Sequence, residues 1–504
     1  MLIIGGGATG MGCALDAAAR GYEVLLIERG DFGSGTSSRS TKIIHGGIRY
    51  LRSFDWSLIR ESLEERSRLQ ELAPHAVRVR EFVVPFYSLA DSVAYGAGVR
   101  LYQRLAPASQ LGPFAGVENL SRVDIVDAFP ALARRNLRGG VLYRDGQFDD
   151  VRLLISIAKS AAELGATILN YCALEEFLYD GQGAVRGARV REVESGAEFE
   201  IHARVIINAA GPFSDQVRSL AGDATTRLLP SQGIHLVFGS SVFPATKALV
   251  IPKTLDKRVM FLIPWHDVLL VGTTDHTVGR IEADPRPRKF EVNEILSAIA
   301  PYLEHIPDRS EIRASFAGLR PLAALGQSGP SHVVSRDFVL DETRGRLLSV
   351  RGGKWTTYRK MAMAAVGRAA EIAELPAVAC MTATLALHGS SAPHYTGRFE
   401  GYGSDASAVE DLESASPNCS TRLVDSRPET VGQVVYAVRN EMARTVEDVL
   451  ARRLRTLFLD RAAALAQAPH VAKIIATELG RDRAWEEAQL RLVDNAAPAI
   501  EKFL

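Results

Sequence analysis

The chain has 504 residues, with 59 Lys and Arg against 59 Asp and Glu and a formal net charge of zero. This length predicts about three domains of ordinary size or two large ones. The balanced charge argues against a nucleic-acid protein, and four scattered cysteines with no CxxC pair argue against a disulfide scaffold or a structural zinc site. No apolar run of about 18 residues is long enough to span a bilayer, and the first residues lack a signal-segment pattern, so the expectation is an intracellular globular protein.

The chain opens with a short apolar run, then a G-x-G-x-x-G at Gly5, Gly7 and Gly10, an Ala-rich stretch and a second apolar run ending at Glu28. This pattern predicts a β-α-β unit that binds a dinucleotide. Gly5 allows the tight turn, Gly7 lets a pyrophosphate approach the backbone, and Gly10 lets the helix pack on the strand. The helix N-terminus faces the phosphates, and Glu28 is placed to accept from a ribose hydroxyl. The unit alone leaves FAD and NAD both open.

Three further segments bear on that choice. Thr36, Ser37, Ser38 and Lys42 lie in a hydroxyl- and glycine-rich stretch that leads to His45, Gly46 and Gly47 and offers many donors to a long phosphate-bearing ligand. Residues 203–212 read as a buried strand ending at Gly211 and Pro212, which a purely structural turn explains equally well. Residues 347–358 read as a strand, the double glycine Gly352 and Gly353, then Lys354, Trp355 and Thr356 at the start of a helix running through Ala370. That second helix N-terminus suits a partly negative group.

Strand-like runs at 233–238, 259–264 and 268–275 suit an antiparallel sheet inserted into the cofactor domain. Residues 386–428 are rich in Gly, Ser and acidic groups and read as a linker. Val431, Val434, Val435, Val438 and Met442, continuing through Val446, Val449 and Leu450, make a helical stripe that opens a C-terminal helical domain at 429–504. The six Arg and four acids of residues 439–461 read as a solvated helical face. Residues 145–150 lack the spacing of a calcium loop, and no metal site is expected.

Taken together, residues 40–51, 316–322, 352–359 and 442–453 resemble the FAD-dependent, quinone-linked glycerol-3-phosphate dehydrogenases, within the D-amino-acid-oxidase-like flavoproteins. The resemblance runs from residue 1 to nearly 495. It implies an α/β FAD-binding Rossmann-like domain of glutathione-reductase type with motifs at 1–50, 203–213 and 347–370. It further implies an inserted antiparallel substrate sheet from parts of 51–202 and 225–345, and an α-helical C-terminal domain. FAD without covalent attachment is the implied cofactor, and sn-glycerol 3-phosphate the implied substrate. A membrane quinone is the implied acceptor, and no nucleic-acid partner is expected. The expected location is peripheral, on the inner face of the cytoplasmic membrane, with a homodimer as candidate assembly.

A phosphate dianion is best held by Arg forks and Lys, which points to Arg320, Arg49, Lys354 and Arg336. Single arginines are more often surface ion pairs, so it is the resemblance that selects these four. His235, on the expected substrate sheet, is the leading general base, with His45 as its rival near the flavin. Thr274 and Asp275 are expected to orient substrate or support the base. Residues 92–106, with Tyr95, Val99, Leu101, Tyr102 and Leu105 beside Arg100 and Arg104, read as a membrane-interface helix or as one packed on the cofactor domain.

Overall fold

The computed structural model describes residues 1–47, 55–107, 111–252, 258–323, 338–392 and 395–496. Among these residues the strands form three sheets. The first has six strands in the order Phe338–Thr343, Leu347–Gly352, Ile206–Asn208, Leu2–Ile4, Leu25–Ile27 and Thr167–Leu169. Its ladders are parallel except at the Phe338–Thr343 edge. Segments far apart in sequence therefore build one sheet. The connections diverge at its first strand, the switch point beyond whose end sheets of this kind bind ligands.

The largest sheet has ten strands. Its long strands Leu228–Gly239 and Ile312–Ala323 pair antiparallel over most of their length, and Val268–Gly272 flanks the former on the other side. The runs expected at 233–238 and 259–264 fall in Leu228–Gly239 and Met260–Trp265, whereas the third stops at Gly272. The sheet is mixed, because Ala248–Ile251 runs parallel to Val77–Phe86. Both faces are covered. Ile234, Leu236 and Phe238 pack against Val292 and Ile295 of the helix Lys289–Ile299. Val237, Phe316 and Trp265 pack against Leu457, Phe458 and Ala464 from the C-terminal part. Two-sided burial explains why 228–239 lacks the alternation of a half-solvated strand.

The C-terminal part differs from its sequence reading in two places. Residues 386–428 are no bare linker, because they contain the helix Asp405–Ala415 and place Phe399, Tyr402, Ala406 and Val409 in a small core with Tyr436. A handful of well-spaced apolar groups suffices where a neighbouring helix completes the core. The helix Val431–Asn440, opened by a Thr430–Gln433 capping box, stops before the predicted stripe ends. Met442 is left-handed, with φ +56°, and exposed. Val446, Val449 and Leu450 are buried on a separate turn that runs into the π-helical stretch Asp448–Arg453. No described helix is long and apolar enough to cross a membrane.

Candidate active site

The N-terminal turn holds its glycines by close approach. A Cβ on Gly10 would overlap the Gly5 carbonyl oxygen, and one on Gly5, whose φ is +111°, would lie 2.9 Å from the Ala209 carbonyl carbon. At the end of the second strand, Glu28 accepts from the backbone N–H of Gly6 at 2.7 Å and of Gly30 at 2.9 Å. Burial raises its pKa, against those two bonds. The carboxylate is thereby fixed beside the turn.

The hydroxyl-rich stretch is largely occupied within the protein. Ser37 Oγ accepts from Ala8 N–H at 2.9 Å, at the first turn of the glycine-rich helix beside Gly7. Thr36 donates to the Leu319 carbonyl at 2.6 Å, tying this stretch to the ten-stranded sheet, and Ser38 is fully buried. Lys42, expected to contact the cofactor, instead lies fully buried and donates to Asp150 at 2.5 Å and to the Ser38 carbonyl at 2.6 Å. Burial and the nearby Arg455 guanidinium bring its pKa down to about 7, against the pull of Asp150.

His45, Gly46 and Gly47 form the next turn. Gly46 N–H donates at 2.7 Å to the Tyr102 hydroxyl, which donates at 2.7 Å to Asp145, itself paired with Arg66 at 3.0 Å. Gly47 N–H donates to His45 Nδ1 at 3.0 Å. Thr356 faces the His45 backbone at 3.4 Å, and Trp355 Nε1 donates to the Ser37 carbonyl at 2.9 Å. The double-glycine turn is thereby stitched to the hydroxyl-rich stretch. Gly211, Gly352 and Gly353 all have positive φ, and a Cβ on Gly353 would overlap the Met361 side chain. Lys354 sits at the start of the short 3-10 turn Trp355–Thr357 that leads into the helix Tyr358–Ile372.

Register on the ten-stranded sheet explains the substrate side. Three pairs lie in successive rows: His235 opposite Phe316, Gly233 opposite Gly318, and Ser231 opposite Arg320. His235 stacks on Phe316 with centroids 4.9 Å apart. The Arg320 guanidinium folds back over Gly233, bonding Thr273 Oγ1 at 3.2 Å and the Thr274 carbonyl at 3.1 Å, with Asp275 at 3.4 Å. The glycine row lets the Arg320 guanidinium and the Arg39 backbone approach the sheet closely, between the His235 row and the Arg320 row. His235 Nε2 is 3.1 Å from Thr41 Oγ1, and Nδ1 is buried with no hydrogen-bond partner among the described residues. Burial, then Lys42 and Arg320, hold the His235 pKa down at about 3, so the ring is neutral across the physiological range.

Thr274 departs from its expected role. Its hydroxyl accepts from Ile234 N–H at 3.0 Å and donates to Glu291 at 3.0 Å, so the fully buried side chain braces the sheet instead of reaching substrate. Arg49 and Arg336 lie outside the described residues.

Several residues that reasoning from sequence passed over stand behind this site. The supposed solvated face of 439–461 is, in its middle, an interior seam. Arg452 and Arg453 meet the fully buried Asp31 at 2.5 and 2.8 Å, three residues beyond Glu28. Burial alone raises the Asp31 pKa, but the two arginines outweigh it and leave the group below its ordinary value. Arg152 pairs with Glu441 at 2.6 Å, and Arg455 with Asp150 at 2.9 Å. Residues 145–150, set aside as a failed calcium loop, supply Asp145, Asp149 and Asp150 to these contacts.

The family of FAD dependent oxidoreductases matches residues 1–359, and the C-terminal domain of alpha-glycerophosphate oxidase matches residues 398–488. A mitochondrial glycerol-3-phosphate dehydrogenase of Arabidopsis thaliana is 36% identical, with 97% of this chain and 84% of the relative aligned. The mitochondrial enzyme of Homo sapiens is 35% identical over 97% of this chain and 72% of the relative. A solved glycerol-3-phosphate dehydrogenase from Bacillus halodurans, complexed with FAD, superposes with a TM-score of 0.77 at 27% identity, covering 98% of this chain and 94% of that one. The glycine cradle, the fixed Glu28 carboxylate and the two glycine-preceded helix starts fit FAD.

Proposed function

Because the chain belongs to the FAD-dependent glycerol-3-phosphate dehydrogenases, we propose that it oxidises the C2 hydroxyl of sn-glycerol 3-phosphate to give dihydroxyacetone phosphate. The observation that carries this reading is the register that sets neutral His235 and Arg320 on one face of the sheet, one glycine row apart. Bound FAD would supply the acceptor for the hydride that leaves C2. His235 Nδ1 takes the hydroxyl proton, so the C2–H and O–H bonds break as the carbonyl forms. Arg320 and Lys354 hold the phosphate, whose dianion suits a bidentate guanidinium fork. Its arrival also offsets the positive charge that depresses His235, making the base stronger in the complex than in the free enzyme.

The electron acceptor is a membrane quinone in this reading, reached from the cytoplasmic face of a bilayer. The support is the helix Leu89–Arg104. It buries Val99 and Tyr102 in the sheet, yet leaves Leu89 and Val93 70% and 73% exposed on a face that also shows Leu101, Arg100 and Arg104. Such a face suits an anionic membrane surface. The C-terminal match to an oxidase favours oxygen as the competing acceptor.

One experiment separates these readings. The FAD-loaded protein, mixed anaerobically with glycerol 3-phosphate, should lose its yellow absorbance and regain it on adding a soluble quinone. No bleaching would refute the substrate. Peroxide formation in air at the full turnover rate would replace quinone with oxygen. A Leu89→Asp/Val93→Asp variant that floats with anionic vesicles as well as the parent does would refute the membrane face.

A further inference from the structure

The search outside the reacting groups leads to a single carboxylate, Asp150, in the first turn of the helix Asp150–Glu163. It is fully buried and serves four donors. Ser40 gives its backbone N–H at 3.2 Å and its hydroxyl at 2.7 Å, Lys42 gives Nζ at 2.5 Å, and Arg455 gives Nη2 at 2.9 Å. Arg455 Nη2 also reaches the Ser38 carbonyl at 3.3 Å, and Lys42 N–H bonds Ser40 Oγ at 3.1 Å. Residues 38–42 are thus wrapped around one anion.

Between Ser40 and Lys42 stands Thr41, whose hydroxyl is 3.1 Å from His235 Nε2. The same cations flank the aromatic groups beside the imidazole. Lys42 Nζ lies 5.2 Å from the Trp265 centroid and 5.5 Å from that of Phe316, on which His235 stacks. The Arg455 guanidinium lies 5.2 Å from Trp265 and 5.5 Å from Phe458. Lys42 and Arg455 both occupy the left-handed region, with φ +62° and +68°, and Arg455 closely follows the π-helical stretch Asp448–Arg453. Non-glycine residues persist there only where their surroundings over-determine them, and π-turns concentrate at functional sites. Here the shared feature is the grip on Asp150.

We propose that Asp150, clamped by Arg455 from the C-terminal part, is a positioning residue that holds the Thr41 hydroxyl against His235 Nε2 and so fixes the imidazole tautomer. With Nε2–H donating to Thr41, the lone pair falls on Nδ1, the nitrogen with no partner among the described residues. A buried ring acceptor left open is tolerated better than a buried N–H left open. The C-terminal segment thereby belongs to the reaction centre without touching substrate. The catalytic meaning of this arrangement rests on His235 as base; the tautomer itself does not.

The test uses full-length, FAD-loaded protein. Arg455→Gln should slow anaerobic flavin bleaching by glycerol 3-phosphate at saturation by about ten- to a hundredfold, with the half-saturating concentration changed less than threefold. Thr41→Val should do the same, and Thr41→Ser should restore most of the rate. The Arg455→Gln/Thr41→Val double variant should be no slower than the worse single variant, because both act through one contact. Losses that multiply, or an Arg455→Gln rate within twofold of the parent, overturn the proposal. If Arg455→Gln does not load FAD, Ser40→Ala takes its place in the same cycle. In apo-protein labelled with 15N-histidine, the His235 signals, assigned by their absence in His235→Gln, should show one tautomer with Nε2 protonated, and a mixture in Thr41→Val. A mixture in the parent refutes the positioning role. A His235→Gln enzyme that bleaches at the parent rate instead refutes the base, leaving the tautomer result to stand on its own.

Discussion

Adding one methyl group at Gly233 tests whether Arg320 holds the phosphate. A Cβ at this position would lie 2.6 Å from Thr273 Oγ1 and 2.7 Å from Arg320 Nη1, overlapping the guanidinium that folds across it. Ordinary carbon contacts begin near 3.5 Å, so the fork must retreat by about 1 Å. Arg320 is a flexible side chain and Thr273 can rotate, so the strand itself need not move, and the stability change should stay within about 1 kcal/mol. The substrate contact does not have that latitude. A charge-assisted hydrogen bond contributes about 1.5–3 kcal/mol, which corresponds to a loss of roughly ten- to 150-fold in kcat/KM. Gly233→Ala should therefore load FAD fully, keep its melting temperature within a few degrees, and lose kcat/KM for glycerol 3-phosphate by that factor in a dye-coupled assay. The same change made on an Arg320→Ala background should cost almost nothing further. Unchanged kcat/KM, or an equal loss on both backgrounds, would refute the placement of Arg320.

Other substitutions probe the rest of the site. Gly272→Ala places a Cβ 3.0 Å from both Cγ and Nε2 of His235, so rapid-mixing kinetics should show flavin reduction slowed by at least about tenfold with FAD affinity unchanged. Asp31→Asn leaves Arg452 and Arg453 short of their shared partner in the interior; the expected cost is about 3 kcal/mol, seen as release of FAD fluorescence several degrees earlier on heating. His388 donates to Asp405 at 2.8 Å and pairs with Glu163, contacts that raise its pKa, the Asp405 bond most strongly. Its contribution is then full below the unfolded value near 6.5 and lost as pH rises through the folded value. His388→Gln should therefore lower the melting temperature at pH 6 and have little effect at pH 9, and equal effects at both would contradict the pairing.

The sequence exposed best those parts of the site whose constraint is local. Gly5 and Gly10 are required by backbone contacts that no side chain survives and Gly353 by its φ of +81°, and such requirements leave a spacing that can be read directly. Arg452, Arg453 and Arg455 were misread because a run of charges looks the same solvated or buried. What separates the two cases is Asp31, more than 400 positions away, and Asp150, about 300 away. Thr274 shows a subtler failure. Its hydroxyl was expected to face substrate from a strand running to 275, but the strand stops at Gly272, and beyond it Thr273 meets Arg320 while Thr274 turns to Glu291. The supposed linker failed because composition averages hide a few well-placed groups such as Phe399 and Tyr402.

The seam between the cofactor part and the C-terminal part bears on why charges were placed inside at all. Lys42, Arg152, Arg452, Arg453 and Arg455 face Asp31, Asp149, Asp150, Glu441 and Asp448, five of each sign, in a region where nearly every side chain is buried. Apolar residues of equal volume would hold such a seam at least as tightly, because burying an ion pair gives back most of what its Coulomb attraction supplies. They would not hold it in one register. The surrounding contacts among Val, Leu and Ala tolerate sliding by a fraction of a turn, whereas Arg453 reaches Asp31 with both Nη1 and Nη2 at 2.8 Å, a geometry that fails with a shift of about 1 Å. Two of these carboxylates adjoin residues of the site: Asp31 lies three residues beyond Glu28, and Asp150 bonds Ser40, the neighbour of Thr41. The ions are therefore spent where register matters to the cofactor and to His235. Replacing Asp31, Arg452 and Arg453 together by Leu, Met and Met should restore much of the stability lost in Asp31→Asn while leaving FAD bound more weakly than in the parent. Recovery of full FAD affinity along with stability would show that the seam supplies cohesion alone.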